Sequence, residues 1–235
     1  MNTKFKTLIV AAAFAALGGA AHAVTFTGTA EGSWGNIQGG GAIGVSNLDG
    51  SGGSSDVTWG NPVGTTFSNR WRFDGVGADG GAGWSTDNDD LFALGSFSYR
   101  NGSVNGHTFT GADLSVELTF TNPFNDVETF AFGFDVINTP NTGGGNCCAD
   151  TASITSGLSS TTFMYLGEEY TLELFGFSQD GGTTVTSTFD SPEGSNARAT
   201  LYGRIIQPAT IPLPAAGWML LAGLGGLAAM RRKKS

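Results

Sequence analysis

The 235-residue sequence predicts an all-β protein: an antiparallel β-sandwich, jelly-roll or immunoglobulin-like, between a signal peptide and an apolar C-terminal helix. Three observations carry this. Charged residues make up only 13% of the chain, while glycine accounts for 38 positions and Thr, Ser and Phe are plentiful, a composition that suits strands and tight turns. No segment between the two ends keeps a helical period for long. Several segments instead alternate strictly between apolar and polar residues, the signature of a half-buried strand.

In chain order, Lys4 and Lys6 precede the apolar run Leu8–Leu17, and Ala21-His22-Ala23 supplies a small-x-small cleavage pattern. Residues 1–23 therefore read as a secretory signal peptide, cut by signal peptidase between Ala23 and Val24. Residues 24–55 form a Gly/Ser-rich N-terminal segment joined to the sandwich, and Gly32–Ser55 within it reads as a long loop or mobile lead-in. The sandwich itself is placed at 56–206. Leu114, Val116, Leu118 and Phe120 share one face of a strand, with Ser115, Glu117, Thr119 and Thr121 on the other. After a turn at Asn122-Pro123, Phe130, Phe132, Phe134 and Val136 repeat the pattern, as do Tyr170, Leu172 and Leu174, then Ala197, Ala199, Leu201 and Ile205. Phe26, Trp59, Trp71, Phe73, Phe92, Leu94, Phe97 and Tyr99 complete the predicted core. Turn signals at Asn101-Gly102 and Asp180-Gly181-Gly182 separate the runs.

Residues 207–235 read differently. Pro212 and Pro214 hold the approach extended. The uncharged stretch 215–230 is a transmembrane segment somewhat shorter than the roughly 20 residues of a comfortable span. Arg231, Arg232, Lys233 and Lys234 keep that end cytoplasmic, which puts the domain outside, and the tail reads as a removable anchor signal or, alternatively, as a plain membrane anchor that is never cut.

The string IPLPAAGWMLLAGLGGLAAMRRKK resembles the PEP-CTERM class of bacterial sorting signals in its VPLPA variety, with Ile211 in place of the usual valine. The resemblance implies that Ile211, Pro212, Leu213, Pro214 and Ala215 are the motif read by an exosortase-type processing enzyme. It further implies membrane anchoring through the C-terminal segment before processing, then release to the cell surface or extracellular space of a Gram-negative bacterium that makes exopolysaccharide. DVTWGNP from Asp56, LFALGSFSYRNGSV from Leu91, GADLSVELTF from Gly111, CADT from Cys148 and YTLELFGF from Tyr170 resemble the choice-of-anchor K domain. That family implies an extracellular β domain and supplies no catalytic residues.

Charge removes one function class. Residues 24–210 hold five arginines and no lysine against twenty acids, a formal charge of −15, which repels nucleic acid and anionic membranes. Histidine limits catalysis. Once His22 leaves with the signal peptide, His107 is the only one, too few for a multi-histidine metal site, and it reads as a solvated residue of a turn. There is no G-x-S-x-G elbow for a serine nucleophile. Glu117, Glu168, Glu169 and Glu173 are the acids that a glycosidase would draw on. Asp87, Asp89 and Asp90 are candidate calcium ligands, hard oxygens in a loop that lacks the glycine and distal glutamate of an EF-hand. Calcium is thus the single cofactor considered. Adjacent Cys147 and Cys148 leave a vicinal disulfide, interchain bridges or free thiols, with the vicinal disulfide favoured in an oxidising compartment. Trp34, Trp59, Trp71 and Trp84 are candidates for sugar stacking if exposed and for the core if not. The leading reading is a non-enzymatic surface or matrix protein with exopolysaccharide as a candidate partner. A carbohydrate-binding module or glycoside hydrolase is the alternative.

Overall fold

The computed structural model describes residues 24–41, 43–48, 54–77, 80–140 and 148–208. Ala23, Cys147, the motif 211–215 and the apolar segment 215–230 lie outside the described residues. Among those described there is no helix, and none long and apolar enough to cross a membrane.

The chain is all-β, built of two large antiparallel sheets and one small ribbon. Sheet one contains β1 (Thr25–Gln38), β6 (Trp84–Asp87), β9 (Gly111–Asn122), β10 (Asp126–Ile137), β11 (Asp150–Ser156) and β14 (Thr188–Ser191), in the order β14-β11-β10-β9-β1-β6. Sheet two contains β2 (Ile43–Leu48), β3 (Ser54–Trp59), β5 (Asn69–Gly75), β7 (Phe92–Arg100), β12 (Leu158–Tyr165), β13 (Glu168–Ser178) and β15 (Asn196–Ile206). Its order is β12-β13-β15-β7-β5-β3-β2. The short strands β4 (Asn61–Pro62) and β8 (Val104–Asn105) pair with each other.

Alternation places the core as the sequence predicts. Leu114, Val116, Leu118 and Phe120 of β9, and Phe130, Phe132, Phe134 and Val136 of β10, are all buried. The two strands pair in register from Phe120↔Asp126 to Gly111↔Asp135, joined through a cis Asn122–Pro123 peptide. Rings from the two sheets then meet across the interior, mostly edge-on or tilted. Phe97 on sheet two lies 6.3 Å from Phe134 and 5.6 Å from Phe189 on sheet one, and Trp71 lies 5.5 Å from Trp34. At the other end Phe26 contacts Phe163 and Tyr170 across the interface, at 6.0 and 5.4 Å. Burial of so many rings is the main stabilising term, since each buries on the order of 150–250 Å².

The expected loop over Gly32–Ser55 is corrected. The long strand β1 runs through Gly32 and Gly35 to Gln38, and β2 and β3 follow. Far from being a lead-in, β1 sits inside sheet one, paired with β9 on one side and β6 on the other. Its inward row is Phe26, Gly28, Ala30, Gly32 and Trp34, small residues where large ones from the facing sheet intrude. A side chain on Gly32 would run into the ring of Phe73. One on Gly28 would meet the Thr119 carbonyl and the Trp84 ring.

Candidate functional site

A concavity of the described surface arises where the chain leaves sheet two for sheet one. Near the end of β13, a bulge at Gly176 (φ 152°) shifts the alternation by one residue, so that Phe177 turns inward after exposed Phe175. The chain reverses at Asp180-Gly181-Gly182, with both glycines at positive φ, as a tight turn requires. Thr186 then comes back alongside Phe177, the two exchanging backbone hydrogen bonds of 2.8 and 3.0 Å. The Ile154 amide donates to the Ser187 carbonyl at 2.9 Å, and β14 begins one residue later on β11.

The resulting cleft holds about 510 Å³. Its floor is Phe177 and Phe189, whose ring centroids are 5.6 Å apart. The walls are Gln179, Asp180, Thr184, Thr186, Thr188 and Asp190. Asp180 Oδ1 accepts from the Thr184 amide at 2.9 Å and from the Ser178 hydroxyl at 2.8 Å. These bonds, the Thr184 amide first, hold its carboxyl below the ordinary aspartate value, so it stays ionised in mildly acidic solution. Asp190 Oδ1 accepts from the Thr151 hydroxyl at 2.7 Å, and the Gln179 side-chain amide donates to the Arg198 carbonyl at 3.0 Å. No basic side chain lines the cleft. In the sequence this region shows only the turn at Asp180-Gly181-Gly182. The signal was the Gly-Gly turn between two phenylalanines, followed by a run of threonines.

Other sequence-predicted residues lie elsewhere. Asp87 ends β6 and Asp89 and Asp90 follow it in the turn, with Asp89 at positive φ and the Asp90 amide donating to the Asp87 carbonyl at 3.1 Å. Asp87 accepts from the Thr25 hydroxyl. Among the described residues no three His, Cys, Asp or Glu side chains converge on a point that would hold a metal ion. The glutamates do not assemble either. Glu117 is exposed on the outer face of sheet one, directly opposite Glu31, whereas Glu173 is on the outer face of sheet two and ion-paired with Arg204. Glu168 and Glu169 are exposed where β12 turns into β13. Cys148 is disulfide-bonded and sits at φ 73°.

His107 corrects the expectation of a solvated residue. It is half-buried and forms a bridge to Gly41, and its Nδ1 accepts from the Phe109 amide at 3.3 Å. With Nδ1 engaged as an acceptor, the neutral ring carries its proton on Nε2. Burial lowers its pKa from the ordinary value, opposed by Asp150. Asp150 itself is buried, with Tyr99 donating at 2.9 Å and the Thr139 amide at 2.8 Å. Burial raises the pKa of Asp150 against those bonds, and burial beside Asp150 raises that of Glu193. This polar knot ties β7 to β11 and the segment before it.

The four tryptophans are core residues, none more than 4% exposed, which removes them as sugar-stacking platforms. Their indole N–H groups find no acceptor among the described residues. No family model matches the chain, and no curated protein matches it.

Proposed function

We propose that the chain is an exported, non-enzymatic surface or extracellular-matrix protein of a Gram-negative bacterium, cut at its N-terminus by signal peptidase and near its C-terminus by an exosortase-type enzyme. The observation that carries this reading is the sequence IPLPAAGWMLLAGLGGLAAMRRKK: a stiff Pro-Leu-Pro entry, an undersized apolar run and a basic end. The chain is membrane-anchored until that cut and then rests in an exopolysaccharide or biofilm layer. Its body is a β-sandwich of jelly-roll or immunoglobulin-like type, similar to a choice-of-anchor K domain. The acidic, lysine-free composition of residues 24–210 supports a role outside the cell, where it keeps the domain soluble and away from nucleic acid.

Replacing Pro212 and Pro214 together with alanine tests the reading. Intact-mass analysis of the surface fraction should then show a chain that retains its tail, held in the membrane. A tail removed as efficiently as in the wild type would overturn the sorting assignment.

A carbohydrate-binding module is the second reading, supported by the polar cleft between β13 and β14. The hydrolase version of it lacks a carboxylate pair among the glutamates named from the sequence, because Glu117 and Glu173 stand on opposite faces. Incubation with the producer's own exopolysaccharide should therefore release no new reducing ends.

A further inference from the structure

We infer that the cleft between β13 and β14 is a binding site for an uncharged saccharide, with the hydroxyls of one or two sugar rings bonded to its walls. Size permits this, since about 510 Å³ lies within the roughly 300–1,000 Å³ of small-ligand sites. The chemistry of the lining selects the ligand. Once internal hydrogen bonds are made, the walls still offer Asp190 Oδ2, Gln179 Oε1 and the Thr188 hydroxyl. That set is rich in acceptors, so it calls for a ligand rich in O–H donors, and bonds to an ionised carboxylate are the stronger ones. Phe177 and Phe189 lie buried beneath the floor, so contact with the ligand falls to the polar walls. Asp180 and Asp190 without a lysine or arginine repel uronate, sulfate and phosphate groups.

The site is also held in place. Asp180 fixes the turn through Ser178 and Thr184, the Phe177–Thr186 bridge closes the hairpin, and Thr151 anchors Asp190, so little ordering remains for the ligand to impose. The inference rests on the exported reading only for where such a saccharide is met; the site itself is independent of how the tail is processed.

The test is an amide-shift NMR titration of the full-length chain in detergent with neutral oligosaccharides of glucose, galactose, mannose and N-acetylglucosamine. Oligogalacturonate and calcium chloride are run as separate arms. At least one neutral sugar should shift the amides of Gln179, Thr186 and Thr188 saturably, and oligogalacturonate should not. Thr188→Val combined with Asp190→Asn should weaken binding by about tenfold or more while leaving the melting temperature unchanged, because both side chains are exposed. Thr188→Val alone serves if the double variant loses stability. Silence from every neutral sugar, shifts confined to another surface, or binding indifferent to both substitutions would overturn the inference. So would equal binding of oligogalacturonate, and so would calcium alone moving the same amides with the same sensitivity to the variants, which would make this a cation site. Loss of tail processing in cells leaves the titration untouched, so the two readings fail separately.

Discussion

Phe97 is the residue on which the two sheets converge. Its ring lies between 5.1 and 6.3 Å from those of Trp34, Trp71, Phe134, Phe177 and Phe189, drawn from both sheets. Truncation would leave a cavity whose rigid walls cannot collapse, so Phe97→Ala should cost on the order of 3–5 kcal/mol in chemical denaturation, and Phe132→Ala on β10 a similar amount. A loss below about 1 kcal/mol at either position would place that ring at the surface and refute the register. Polar residues in the interior follow a different rule. Asn101 is buried, its side chain donating to the Ser191 carbonyl at 2.8 Å and its amide to the Ser195 carbonyl at 3.0 Å. Asn101→Leu keeps the bulk but orphans both Ser191 and Asn69, a loss of about 1–3 kcal/mol.

At the scale of the element, β1 explains what the sequence conceals. Strands β9, β10 and β13 were legible because Leu, Val, Phe and Tyr fill their inward positions and polar residues the outward ones. On β1 the inward row between Phe26 and Trp34 holds glycine and alanine, so the period of two vanishes from a hydrophobicity reading although the strand is there. Its composition answers the opposing sheet, where Phe73 fills the missing volume. Two glycines on this strand separate the roles. Gly32→Ala drives a methyl into the Phe73 ring and should destabilise by about 1–3 kcal/mol. Gly35 has nothing within 4 Å of an added Cβ, so Gly35→Ala should be neutral or stabilising by up to about 1 kcal/mol. Equal effects at both positions, measured by urea titration, would mean that β1 does not face Phe73. The cleft was hidden for a related reason. Its floor joins Phe177 and Phe189 from strands in different sheets, and the bulge at Gly176 reverses the phase that alternation would assign to Phe177. Turn residues announce that the chain reverses there but say nothing about which surfaces the reversal brings together.

For the whole molecule, charge is distributed unevenly as well as unequally. All five arginines of residues 24–210 project from the outer rows of sheet two, where Arg70 pairs with Asp56 at 3.5 Å, Arg72 with Asp74 at 2.8 Å and Arg204 with Glu173. The outer face of sheet one carries Glu31, Glu117, Asp113 and Asp135 among threonines and serines, with no cation to offset them. Repulsion on that face is screened by salt over a Debye length of about 8–10 Å. Raising sodium chloride from low ionic strength should therefore increase the melting temperature, by about 2–4 °C for each kcal/mol of repulsion relieved. Acidity should act in the same direction, up to a limit. The pKa values of Asp150, Glu128 and Glu193 are raised by burial, so the folded state holds protons that the unfolded chain releases. Their contribution is fully present below the unfolded values near 4 and is lost as pH climbs through the raised folded ones. Asp180 works the other way: its lowered value makes it stabilising above about pH 4, and that stability goes as the carboxylate is protonated. His107 also has a lowered value, so its contribution is complete above about 6.5 and fades as pH falls through that value toward the folded one. Three raised carboxylates and relief of the net negative charge outweigh one half-buried imidazole, which puts the stability maximum between about pH 4 and 6. His107→Gln removes the opposing slope and should steepen the gain between about pH 6.5 and 5. A melting temperature that falls steadily from neutral pH into that window in both proteins would show that self-repulsion does not govern this domain.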